Sequence, residues 1–168
     1  CQVIYHLAAQ TRWDVAADDP VADWKANVLP MLLMLEAIRK EKADPTVVFT
    51  GTVTQVGSSS HLPINENLLG KPKTFYDLHK QMAEDYLLYH ARENGLRGIA
   101  LRLPNVYGPG GLGRKGRGVL TMMANRALLG EPLTIYGTGE QIRDYIYIDD
   151  VVSALRAAAS CAPSCQGK

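Results

Sequence analysis

The chain has 168 residues, three cysteines and a formal net charge of +1. That length suits one domain with its own core, and the balanced charge excludes a basic nucleic-acid footprint and a polybasic membrane tether. No apolar run approaches the roughly 20 residues of a membrane span. Cys1, Cys161 and Cys165 make no disulfide framework, and without His or further Cys at ligand spacing they make no metal site. No signal peptide precedes Cys1, so the expectation is a cytoplasmic protein.

Residues 2–9 read as a buried strand running into small residues, with no lead-in. A domain that starts inside a core strand is expected to have lost something upstream. Asp18-Asp19-Pro20 is a helix start, and residues 21–40 carry apolar residues at helical spacing with basic residues at the end. Pro30 is expected to kink that helix near Ala26 and Asn27. Residues 46–50 form a β-branched, buried-type strand, followed by a hydroxyl-rich turn over 51–57 and a polar loop to Thr74. A helix from Tyr76 runs to Asn94, stopped by Gly95. Then follow a strand over 97–103 broken by Pro104, a glycine-rich loop over 105–116 and a helix over 119–129. Short strands are predicted over 133–136 and 145–148, and a last helix is capped by Asp149 and Asp150.

Within the long helix, Tyr76 and Lys80 stand one turn apart on the same face. A free phenol ionises near pH 10, too high for a base at neutral pH. A neighbouring ammonium stabilises the phenolate and is expected to lower that value. The alternating strands and helices predict an α/β fold, a Rossmann-like parallel sheet with helices on both faces. Ligands of such sheets bind at the carboxyl ends of the strands, where Ala8-Ala9, Thr52 and Pro104-Asn105 fall. Gly108 to Gly113 satisfies G-x-G-x-x-G. It lacks the strand directly before it and the helix directly after it that a pyrophosphate turn requires, and it reads as a loop.

These residues, in this order, resemble the extended short-chain dehydrogenase/reductases, the NAD-dependent nucleotide-sugar epimerases and dehydratases. The resemblance runs from Val3 to about Ala159 and rests on several stretches. They are His6 to Ala9, Asn27-Val28, Thr52 ahead of Tyr76 and Lys80, Leu101 to Gly110, and Gly137 to Val151. It implies a catalytic set of Thr52, Tyr76 and Lys80, and a cofactor, NAD or NADP, held by Leu7, Ala8, Ala9, Asn27, Tyr76, Lys80 and Pro104. It also implies a nucleotide-diphosphate sugar bound by Thr52, Asn105 and Arg143, no metal, and a homodimer through the helices of 20–42 and 76–94. Residues 1–168 then make a partial cofactor-binding domain, missing its first strands, with the start of a substrate-binding part at about 105–148.

Departures from the resemblance narrow the activity. The dehydratases carry Asp and Glu directly after the catalytic Thr, where Val53 and Thr54 stand here, so dehydration is disfavoured. Val56 replaces a Tyr, and Pro30 a Gly. His6 and His79 are read as packing or surface histidines, and Trp13, Trp24, Met31 and Met34 as core or interface. The expected function is an NAD-dependent epimerase acting on a nucleotide sugar, inactive as this segment alone. The alternatives are an NADP-dependent reductase of a nucleotide-linked keto-sugar and a catalytically silent assembly segment.

Overall fold

The structure is a computed structural model and describes residues 2–59, 62–68, 70–109 and 118–160. The chain divides into two units, Cys1–Arg102 with Leu155–Lys168 and Leu103–Ala154.

The first unit is built on a three-stranded sheet in the order β1 (Val3–His6), β2 (Thr46–Thr52), β3 (Arg97–Leu103). β1 and β2 run parallel, with Val3 opposite Thr46 and His6 opposite Phe49. Successive side chains of a strand point to opposite faces, and β2 uses both. Val47 and Phe49 pack with Met31, Leu35, Ala83 and Leu87 on one side, and Val48 packs with Ile99 and Ala158 on the other. Helices supply the cover of each face, which is the predicted Rossmann-like arrangement. The first face belongs to α3 (Leu29–Lys40) and α4 (Phe75–Asn94), the second to the last turns of α6 (Ile148–Ala159).

The predicted kink at Pro30 is a full break: α2 (Pro20–Asn27) ends and α3 begins around Val28. Proline has no N–H to donate into the preceding turn, and here it occupies the first turn of α3 instead. A short α1 (Trp13–Asp18) precedes α2 and was not foreseen. The turn after β2 is a 3-10 helix, Val53–Val56. α4 has the predicted bounds to within one residue. Thr74 accepts a hydrogen bond from the Asp77 backbone at its start, and Gly95 adopts the left-handed conformation at its end, φ 71°.

The second unit corrects two expectations. β4 (Asn105–Tyr107) lies inside the predicted loop and pairs in parallel with β5 (Tyr145–Tyr147). The strand predicted over 133–136 is absent: the segment is irregular and exposed, and Arg126 donates to the Pro132 carbonyl. A strand needs another strand to pair with, and Pro132 and Gly137 bracket four residues that pair with none among the described residues. α5 (Val119–Leu128) forms close to where it was predicted. Gly110 to Gly113 of the glycine-rich motif, and all three cysteines, lie outside the described residues.

Candidate active site

β2 delivers Thr52 to the end of the sheet, and α4 carries Tyr76 and Lys80 past it. The same face of α4 is unusually polar for a core-facing helix: Asp77, His79, Lys80 and Glu84 are all buried. Buried polar groups require partners, and those partners organise the site.

Thr52 is 8% exposed. Its Oγ1 lies 2.8 Å from Thr54 Oγ1, and Thr54 Oγ1 donates to Asp77 Oδ1. Burial pushes the Tyr76 phenol up to about 12, and the negative charges of Asp77 and then Asp23 push the same way. This is opposite to the lowering that its spacing from Lys80 predicted. Hydrogen bonding by Thr52 to the phenolate is the smallest influence and opposes that rise.

The Lys80 ammonium lies 4.2 Å from the centroid of the Phe49 ring, in a cation–π contact. Burial lowers its pKa to about 8, with the charges of Glu84 and Asp23 pulling back. His6 stacks on the same Phe49 at 5.7 Å between centroids, and burial with the nearby Lys80 charge keeps the imidazole pushed toward neutrality. His6 is therefore a packing residue, as read from the sequence.

Behind the helix, Asp23 of α2 is 1% exposed and receives three donors. Its Oδ1 accepts from Gln10 Nε2 at 2.7 Å and from Asn27 Nδ2 at 2.9 Å, and its Oδ2 lies 2.6 Å from His79 Nδ1. Asn27 also donates to the Gln10 carbonyl at 3.1 Å, while its buried Oδ1 has no partner among the described residues. Asn27, expected at the cofactor, thus spends its amide protons on this network. At the end of β1, Leu7 and Ala8 are exposed and Ala9 is half-buried.

The remaining expected residues, Pro104, Asn105 and Arg143, belong to the second unit. Asn105 Nδ2 donates to the Asp144 carbonyl at 3.0 Å, and the exposed Arg143 donates to the Ile142 carbonyl at 2.9 Å. Sequence reasoning missed Thr54, Asp77 and Asp23. The available signals were an acidic residue at the third position of α4 and another in the first turn of α2. Among the described residues no group of three or more His, Cys, Asp or Glu could hold a metal ion, and no helix is long and apolar enough to cross a membrane.

Comparison with known proteins places this geometry in context. A family model described as the NAD dependent epimerase/dehydratase family matches residues 1–164. The UDP-glucose 4-epimerase of Mycolicibacterium smegmatis is 31% identical over 153 residues, which cover 91% of this chain and 49% of that protein. The crystal structure of the UDP-glucose 4-epimerase of Thermotoga maritima with UDP-glucose matches with a TM-score of 0.86 and 36% identity, over 94% of this chain and 51% of that one. The Thermus thermophilus UDP-glucose 4-epimerase in complex with NAD matches with a TM-score of 0.84 and 32% identity, over 96% and 54%. The chain spans about half the length of the curated relatives it matches.

Proposed function

This chain belongs to the NAD dependent epimerase/dehydratase family, and from that premise we propose that it is part of an NAD-dependent epimerase of a nucleotide-diphosphate sugar, with Tyr76 as the base. The observation that carries this reading is a buried Thr52 at the end of β2 beside α4, which carries Tyr76 and the buried ammonium of Lys80 one turn apart. NAD, when bound, supplies a hydride acceptor that can also return the hydride.

The residues present fit such a group. The Lys80 ammonium makes no hydrogen bond to any described residue, so its donors are available to ribose hydroxyls. The small side chains of Ala8 and Ala9 leave room at the end of β1, and Leu7 and Pro104 complete the expected cofactor set. Tyr76 takes a proton from a sugar hydroxyl and returns it, with Thr52 on the same oxygen. The Tyr76 phenol is too weakly acidic in this structure to be ionised at neutral pH. Positive charge brought near the phenol would favour its ionisation. Arg143 is suited to the substrate diphosphate, because its guanidinium presents a planar fork of donors. Asn105 lies on the neighbouring strand β4. Val53 and Thr54 offer no carboxyl group after Thr52, which favours epimerisation over dehydration. A second copy of the chain is the expected partner through the outer faces of α2–α3 and α4, where Val21, Leu33 and Tyr89 are exposed.

The test is Tyr76→Phe in the whole protein, assayed for interconversion of UDP-glucose and UDP-galactose. The expected result is loss of turnover with nucleotide-sugar binding retained, because only a hydroxyl is removed. Turnover within a few-fold of the parent would remove Tyr76 from the chemistry.

A further inference from the structure

Asp23 collects donors from the three segments that carry most of the expected cofactor contacts. Gln10 follows Leu7, Ala8 and Ala9 at the end of β1, Asn27 lies one turn after Asp23 on α2, and His79 stands next to Lys80 on α4. The Asp23 charge acts on both Tyr76 and Lys80, which sets this network beside the candidate site.

Within the network the Asn27 side chain can face only one way. Its Nδ2 lies 2.9 Å from Asp23 Oδ1 and 3.1 Å from the Gln10 carbonyl oxygen. Both of those oxygens accept and neither donates. An amide turned round would set its own oxygen against two acceptors, so the nitrogen occupies this position and both of its protons are used. Asn27 Oδ1 is left on the other side of the amide. It is buried and has no donor among the described residues, in a residue that is 1% exposed. Such an acceptor costs stability until a donor meets it.

We propose that Asp23 is a positioning residue for cofactor binding: with the Gln10 carbonyl it holds the Asn27 amide by its protons, and so presents Asn27 Oδ1 as a fixed acceptor to a hydroxyl or N–H group of the bound dinucleotide. The inference rests on the reading of this chain as part of an NAD-dependent enzyme, and adds which atom of Asn27 meets the cofactor and what aims it. NAD carries donors of both kinds, in its ribose hydroxyls and its carboxamide. An acceptor already held in place gives up little side-chain freedom when the ligand arrives.

Calorimetric titration of the whole protein with NAD tests this. Asn27→Leu removes the acceptor and Asp23→Leu removes what aims it, and each should weaken binding about tenfold, the effect of one hydrogen bond. The double variant should bind no more weakly than Asn27→Leu, because Asp23 acts through Asn27. An Asp23 that only supports the fold, or acts by its charge, would add its own loss to that of Asn27. Additive losses overturn the proposal, as does parent affinity in either single variant. The parent protein gives a second measurement, which decides if circular dichroism shows a leucine variant unfolded. With isotope-labelled asparagine, NAD should move the Asn27 carboxamide carbon resonance downfield, as a carbonyl gaining a hydrogen bond does. Both Nδ2 protons should exchange slowly with solvent before and after NAD is added. A carbon resonance that NAD leaves unmoved, or fast exchange of those protons, overturns the proposal. Neither measurement involves Tyr76 or turnover. Either can fail while Tyr76→Phe still abolishes epimerisation, and both can succeed if Tyr76→Phe does not.

Discussion

Arg102 holds Glu84 through two nitrogens, with Nε at 3.0 Å and Nη2 at 2.7 Å from the same carboxylate oxygen, and the glutamate it holds is 2% exposed. Gln55 Nε2 donates to the other oxygen at 2.8 Å. A carboxylate this deep is tolerated only because both oxygens are paired. The pairing ties β3 and the 3-10 turn after β2 to the middle of α4, one turn beyond Lys80. Arg102→Met should therefore cost about 3–5 kcal/mol, the usual effect of leaving a buried charge without its partner. The double change Arg102→Met with Glu84→Leu should recover most of that loss. Urea unfolding of these two variants and of Glu84→Leu alone measures both, and strict additivity would show that the pair is not coupled.

Lys80 gives a signed dependence of stability on pH. Its folded-state pKa is about 8, below the ordinary lysine value of 10.5, so between these limits the unfolded chain binds more protons than the folded one. Stability from this group therefore rises as pH increases from about 8 to 10.5, by about 3 kcal/mol in total at 1.36 kcal/mol per unit. Below pH 8 both states are protonated and the burial penalty is fully felt. Lys80→Met should accordingly raise stability at pH 7 and abolish the rise between pH 8 and 10. Urea midpoints across that range, compared between parent and variant, check the sign. A variant that is less stable than the parent at pH 7 would contradict it.

Gly57 has φ 72° and ψ −150°, and a β-carbon there would stand 2.2 Å from the Lys71 carbonyl oxygen. This backbone conformation is open essentially to glycine alone. Gly57→Ala should cost at least about 1–3 kcal/mol from conformation alone, with the contact adding to it. The damage should reach Thr54, because the Gly57 N–H is bonded to the Thr54 carbonyl at 2.9 Å. Thermal unfolding measures the loss. Gly95→Ala, at φ 71° with no atom within 4 Å of the added carbon, is the comparison expected to lose less.

Asp23→Ala removes the common acceptor of Gln10, Asn27 and His79. Several buried donors are then unpaired at once, and the expected loss is about 3 kcal/mol or more. It should be localised. Amide exchange in α2 and in the first two turns of α4 should accelerate, while β2 should keep its protection until global unfolding. Uniform acceleration across the first unit would show that the network is not a local clasp.

The helix with the chemistry was legible because every signal for it is local. Thr74 at the start, Gly95 at the end and the spacing of Tyr76 and Lys80 all lie within one stretch. The partners that make the site were not legible, because they are far apart in sequence and joined only by folding. Thr54 meets Asp77 across 23 positions and Asp23 meets His79 across 56. The sense of the shift at Tyr76 was missed for the same reason. Spacing shows the ammonium one turn away, but burial and the acidic residue of another helix appear only in three dimensions. The false strand at Leu133 to Tyr136 and the overlooked β4 are two sides of one fact. Pairing between distant segments, rather than composition, decides whether an apolar stretch becomes a strand.

Tyr76, Lys80 and Glu84 recur every fourth residue along α4, with Asp77 and His79 beside them on the inward side. A helix advances about 100° per residue, from its 3.6 residues per turn. Inserting or deleting a single residue between Thr74 and Lys80 would therefore swing part of this series out of alignment with the rest, whatever residue was involved. Outward positions such as Leu78, Tyr86 and Tyr89 are exposed, so a substitution there leaves the buried series in register. In evolutionary terms α4 is frozen in length, so gaps among relatives should fall in the loop between Gly57 and Thr74 rather than within the helix.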